Sequence, residues 1–128
     1  MTRYLSAQQV LSLHQGLTGL LSGDPGIRDL RALDAAIARP AIVFDGDDLY
    51  PSPASKAAAL LHAIVTTTPF VTASKGTAAV AAECFLAANG FALAATDQEL
   101  ADMTTSVEKG ELGIEGASIW VRQRIRKA

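Results

Sequence analysis

Residues Pro53 to Asn89 read PASKAAALLHAIVTTTPFVTASKGTAAVAAECFLAAN, two alanine-rich helical runs broken once in the middle. The first run, about Pro53 to Thr66, carries Ala57, Leu60, Leu61, Ile64 and Val65 and is apolar nearly all round, as a central helix must be. Thr66, Thr67 and Thr68 end it, because consecutive β-branched residues followed by Pro69 disfavour continuation. The second run, about Ser74 to Asn89, presents Ala78, Ala81, Ala82, Phe85 and Ala88 on one narrow face. Asn89 and Gly90 can supply its left-handed cap. These two helices predict an all-α fold built around them.

Four further helices fit around that pair. Ser6 and Gln9 have capping-box spacing, and Val10, Leu13, Leu17, Leu20 and Leu21 then recur at helical intervals. Gly23, Asp24, Pro25 and Gly26 make a turn. A second helix starts at Asp29, with Leu30, Leu33, Ala36 and Ile37 as its stripe, and Pro40 stops it. Thr96 and Glu99 open a fifth helix that ends near Lys109 and Gly110. A sixth, Ile114 to Arg126, turns Ala117, Trp120, Val121 and Ile125 inward. Between the second and third helices, Ala41 to Pro53 predicts a short extended piece around Ile42–Phe44 and a solvated acidic turn at Asp45–Asp48. That turn lacks the ligand spacing and closing glutamate of an EF-hand. The whole chain, residues 1–128, reads as one domain of about six helices with a short extended flap.

Bulk properties narrow the partners. A formal charge of −2 gives no electrostatic reason to expect nucleic acid or an anionic membrane. The one basic cluster, Arg122, Arg124, Arg126 and Lys127, reads as cations complementing the end of the sixth helix. Cys84 is alone, so no intrachain disulfide forms, and a reducing cytoplasm is the natural setting. No secretory signal is visible, and the longest apolar run, Ala57–Val65, contains His62 and is too short to span a bilayer.

The junction between the central helices is where chemistry is expected. A helix N-terminus exposes unpaired N–H groups and partial positive charge, which suit a phosphate. Lys75 adds a cation there, and Ser74 and Thr77 add hydroxyls, so these three are the candidate phosphate-binding residues. The bland alternative, an ordinary helix start with a lysine, fits the same residues.

The stretch Thr68–Ala78 (TPFVTASKGTA) resembles the active-site motif of the Doc (death-on-curing) branch of the Fic family, approximated by His-x-Phe-x-Asp/Asn-Ala/Gly-Asn-Lys-Arg-Thr-Ala. The similarity extends to Gly23–Leu30, to Arg39, Pro40, Phe44, Leu49, Tyr50 and Pro51, to Leu60–His62, and to Phe85–Phe91. It implies a bacterial or phage-like protein of a toxin–antitoxin system. Enzymes of the family transfer AMP or phosphate from a nucleotide to a protein hydroxyl.

Here the motif is degenerate. Thr68 replaces the histidine that acts as general base, and a threonine hydroxyl has no useful pKa near neutrality. Thr72 replaces the acid that holds Mg²⁺ and is a far weaker ligand for a hard dication. Ser74 and Gly76 replace the phosphate-binding asparagine and arginine. Lys75, Phe70, Ala73, Thr77 and Ala78 are retained. No catalytic residue and no metal ligand is therefore assigned. ATP or another nucleotide is the only cofactor the resemblance implies, with Mg²⁺ unsupported by Thr72.

The favoured expectation is a binding or regulatory protein without transferase activity, whose partner is an antitoxin-like helix or the ancestral target. The alternative is a Doc-type toxin with altered chemistry. His62 is the nearest histidine but lies more than a turn before the loop, and nothing ties His14 to the site. Thr104 and Glu108 have the spacing of a family inhibitory motif, but Lys109 follows and Gly76 offers no arginine, so the spacing reads as chance.

Overall fold

The computed structural model describes residues 1–128. Six helices form where the caps and apolar spacing predict them: α1 (Ala7–Leu21), α2 (Leu30–Ala38), α3 (Pro53–Thr67), α4 (Ser74–Ala88), α5 (Asp97–Glu108) and α6 (Ile114–Arg124). Reciprocal capping boxes open α1 at Ser6/Gln9 and α5 at Thr96/Glu99. Asp29 stands outside α2 as its N-cap and accepts from the Ala32 amide. A third reciprocal box, Ser52/Ser55, opens α3. No helix is long and apolar enough to cross a membrane.

Helix α3 packs against α2, α4, α5 and α6, so it lies at the centre. Ala57, Ala58, Leu61 and Ile64 are completely buried, and Phe70, Phe85 and Leu86 join them. Small alanines let the helix axes approach closely, while burying each large side chain contributes roughly 1.5–3 kcal/mol.

The ends of two connections depart from expectation. The sixth helix stops at Arg124, and Ile125–Lys127 form a strand, β4, paired antiparallel with β3 (Phe91–Leu93). Arg126 and Lys127 therefore project from a strand, and only Arg122 and Arg124 lie on the last helical turn. Gly90 takes the left-handed conformation after α4 (φ 86°) and turns the chain into β3.

Beyond a short 3₁₀ turn at Arg39–Ala41, the flap is a hairpin, β1 (Val43–Phe44) and β2 (Asp47–Asp48), closed by Asp45 and Gly46 with φ of 52° and 85°. Positive φ at both central residues is the pattern of a tight hairpin turn. The acidic turn is not wholly solvated. Lys56, buried on α3, donates to the Asp48 carboxylate and to the Pro40 carbonyl, each at 3.1 Å. Burial alone would lower this ammonium, but the Tyr4 hydroxyl and Asp48 outweigh it and hold its pKa above the usual lysine value.

Candidate functional site

The α3–α4 connection is held mainly through its backbone. Thr68, the C-cap of α3, adopts left-handed geometry (φ 41°, ψ 64°), a strained choice for a β-branched residue. Arg28 fixes it: Nε donates to the Thr68 carbonyl at 2.6 Å, and the guanidinium also donates to the Thr67 carbonyl and the Thr68 hydroxyl. The Arg28 and Asp29 amides donate to the Pro69 carbonyl, and the Val71 amide donates to the Gly26 carbonyl. The turn before α2 thus pairs edge to edge with the loop, with Ile27 opposite Phe70.

Glycine is needed where these two segments meet. A Cβ on Gly23 would lie 2.8 Å from the Thr72 hydroxyl, and one on Gly26 would lie 3.2 Å from the Val71 side chain. The Thr72 hydroxyl donates to the Asp24 carbonyl at 3.0 Å, while one Asp24 carboxylate oxygen accepts from the Gly26 amide.

His14 is tied to this loop, contrary to the sequence reading. It is fully buried on α1, and its ring stacks on Phe70 with centroids 3.7 Å apart. Its Nε2 lies 2.9 Å from the Thr72 carbonyl oxygen. A carbonyl can only accept, so Nε2 carries the proton. Nδ1 is buried without a partner. His14 thus braces the loop from within. Its separation of 58 residues from Thr72 left no local signal. His62 faces elsewhere, near Arg39, and burial together with that charge pushes its pKa down.

At the start of α4 the candidate residues diverge. Ala73 is the N-cap in left-handed geometry and gives no side-chain cap. A left-handed residue entering a helix leaves successive amides pointing outward, an arrangement that suits an anion. The Ser74 hydroxyl turns back to accept from the Phe70 amide in a long contact of 3.4 Å. Thr77 is completely buried, and its hydroxyl has no partner. Lys75 alone reaches solvent, and its ammonium lies 3.2 Å from the Glu108 carboxylate on α5. Of the Thr104/Glu108 pair, Glu108 meets the motif loop through Lys75, while the Thr104 hydroxyl donates to the Ala101 carbonyl within α5.

The residues at the metal position do not fit Mg²⁺. The Thr72 hydroxyl is engaged by a carbonyl, and no three His, Cys, Asp or Glu side chains converge to hold a cation. At Gly76 a Cβ would make an ordinary 3.5 Å contact with Leu17 and nothing closer, so the backbone there does not demand glycine. Beside Gly76, a groove of about 420 Å³ runs between α1, α4 and α5.

Comparison with known proteins agrees with this architecture. A profile of the Fic/DOC family matches residues 4–86, from just before α1 to near the end of α4. A protein named Toxin Doc from Mycolicibacterium smegmatis (strain ATCC 700084 / mc(2)155) is 42% identical over 95 residues, covering 74% of this chain and 71% of that protein. With the motif loop, the flap and both central helices in place, the chain belongs to the Fic/Doc family.

Proposed function

We propose that residues 1–128 form one Doc-like domain that works by binding a protein partner within a toxin–antitoxin setting, in the cytoplasm, and transfers neither phosphate nor AMP. One observation carries this reading: the hydroxyls at the base and metal positions, Thr68 and Thr72, are both engaged in holding the loop. Thr68 already accepts a guanidinium N–H, and Thr72 offers a cation only a neutral hydroxyl oxygen, a weak ligand for a hard dication. His14 is no substitute, since its Nε2 is bound to the Thr72 carbonyl and its ring is buried. Loss of a general base alone costs about 10²–10⁴ in rate. Loss of metal and arginine removes further stabilisation of the transferring phosphoryl group.

The test is transfer of label from ATP carrying radioactive α- or γ-phosphate to proteins of a bacterial extract, with and without Mg²⁺. No labelled band is expected from this chain. A Thr68→His/Thr72→Asp/Ser74→Asn/Gly76→Arg variant shows whether the scaffold still supports chemistry. Metal-dependent labelling by the unaltered chain, abolished by Lys75→Ala, overturns the proposal.

A second reading, a toxin with altered chemistry, is favoured by the uncapped start of α4 and by Lys75 at its surface. It requires that Thr68→Ala and Lys75→Ala each lose toxicity in cells. Retained toxicity in both variants defeats it.

A further inference from the structure

We infer that the outer edge of β4 is a docking site for an extended, acidic segment of a partner protein. This rests on the partner-binding reading above and places a contact beyond the end of α4 that lies away from the motif loop. Backbone pairing defines the edge. The Ala94 amide donates to the Arg124 carbonyl and the Ala128 amide to the Gly90 carbonyl, one on each side of the Ala92–Arg126 pair. In an antiparallel ladder, hydrogen-bonded pairs alternate with pairs whose polar groups turn away from the neighbouring strand. Ile125 and Lys127 are the turned-away residues of β4, so their N–H and C=O groups point away from β3. No third strand joins the sheet. The Ile125 amide makes no helical bond at the end of α6. Its carbonyl accepts from the neighbouring Arg126 side chain, with Nη1 at 2.8 Å. The edge is also held in place, because Phe91, Leu93 and Ile125 pack their side chains against the core.

Charge selects the occupant. The molecule's two ion pairs are Lys56–Asp48 and Lys75–Glu108, and Arg122, Arg126 and Lys127 take part in neither. All three are exposed. Arg124 is turned aside, its guanidinium 4.1 Å from the Trp120 ring centroid. Three unmatched cations thus flank an open edge, in a chain whose formal charge is −2. A second copy of this chain is a poor occupant, because antiparallel β4–β4 pairing would set Arg126 and Lys127 against their own counterparts. A nucleic-acid strand could meet the cations, but it has no alternating amides and carbonyls to continue the ladder. An extended peptide supplies both, and a carboxylate placed opposite Arg126 forms a favourable cross-strand pair.

Titration of the isotope-labelled full chain with short synthetic peptides, followed by NMR, tests this. All the peptides carry valine at alternate positions. One interleaves glutamates, one interleaves lysines, and a third is the glutamate peptide with alternate amides N-methylated, which removes the donors along one edge. The glutamate peptide should move the Ile125 and Lys127 amide signals most. It should bind about ten-fold more tightly than the lysine peptide at low salt and lose most of that advantage in high salt. N-methylation should abolish most of the binding. Arg126→Gln/Lys127→Gln should weaken the glutamate peptide about ten-fold. Arg31→Gln/Lys109→Gln, which removes the same charge elsewhere, should leave it unchanged. Equal binding of the glutamate and lysine peptides, undiminished binding of the N-methylated one, or tighter binding of single-stranded oligothymidylate overturns the proposal. The phosphate-transfer assay is independent: labelling there would refute the binding-only reading without touching this result, and loss of peptide discrimination would leave that reading standing.

Discussion

Helix α3 is flanked by two non-helical excursions held by opposite means. The loop after it, Thr68–Ala73, carries two left-handed non-glycine residues, yet it is fastened at many points by the Arg28 side chain, His14 and the backbone of Gly26, Arg28 and Asp29. The hairpin before it has an ordinary glycine-assisted turn and leaves Val43 and Phe44 mostly exposed. One buried lysine ties it down. Most contacts that hold the loop go to main-chain atoms. Its shape can therefore tolerate exchange of the side chains that project from it. The hairpin depends on the identity of single residues.

The largest effect should come from the loop's anchor. Phe70→Ala removes a buried ring and the surface on which His14 stacks, so urea denaturation should show a loss of about 3–5 kcal/mol. A loss under 1 kcal/mol would mean that the surrounding contacts hold the loop without its core residue. Lys56→Met probes the other side. It leaves the buried Pro40 carbonyl without its donor and Asp48 without its cation, at a cost of about 1–3 kcal/mol. Amide exchange should quicken at Val43–Asp48 and stay slow at Phe70–Thr72. Equal acceleration in both segments would erase the contrast between them.

A smaller and opposite change is expected at Thr68. A β-branched residue in left-handed geometry costs roughly 1–2 kcal/mol, and asparagine tolerates that region better. Thr68→Asn keeps an oxygen for Arg28 and should raise the melting temperature, by the equivalent of about 0.5–1 kcal/mol. A lower melting temperature would show that the Thr68 methyl packing outweighs the backbone strain. The histidine of the family motif is likewise more at home in this conformation than threonine.

How far the sequence reaches follows from the distance over which each contact acts. The caps at Ser6 and Thr96 and the break at Thr66–Pro69 act within four residues, and they predict the helices and the loop. The β3–β4 pair joins residues more than thirty positions apart in three-residue strands, too short for alternation to show. In the site, substitution of Thr68, Thr72, Ser74 and Gly76 is visible by inspection. The burial of Thr77 and the pairing of Lys75 with Glu108 are not, since they depend on how neighbouring helices pack against α4. His14 shows the same limit. A histidine on an amphipathic helix carries no mark of the carbonyl it will meet.

The smallest predicted effect separates the two sides of α3 by pH. His62 lies on the flap side, where burial and Arg39 in the turn leading to the hairpin lower its pKa below the ordinary histidine value of about 6.5. The unfolded chain therefore holds the His62 proton more tightly than the fold does. This group leaves stability unchanged well above pH 6.5 and subtracts from it as pH falls below that value, until the folded imidazole also protonates. His62→Gln should flatten that part of the stability curve between neutral pH and pH 5, where carboxylates still contribute little change. Arg39→Gln, by removing one of the two causes, should flatten it in part. If melting temperatures of the original chain and His62→Gln fall in parallel across that range, the acid sensitivity lies elsewhere. The hairpin side would then lose its claim to be the more fragile of the two.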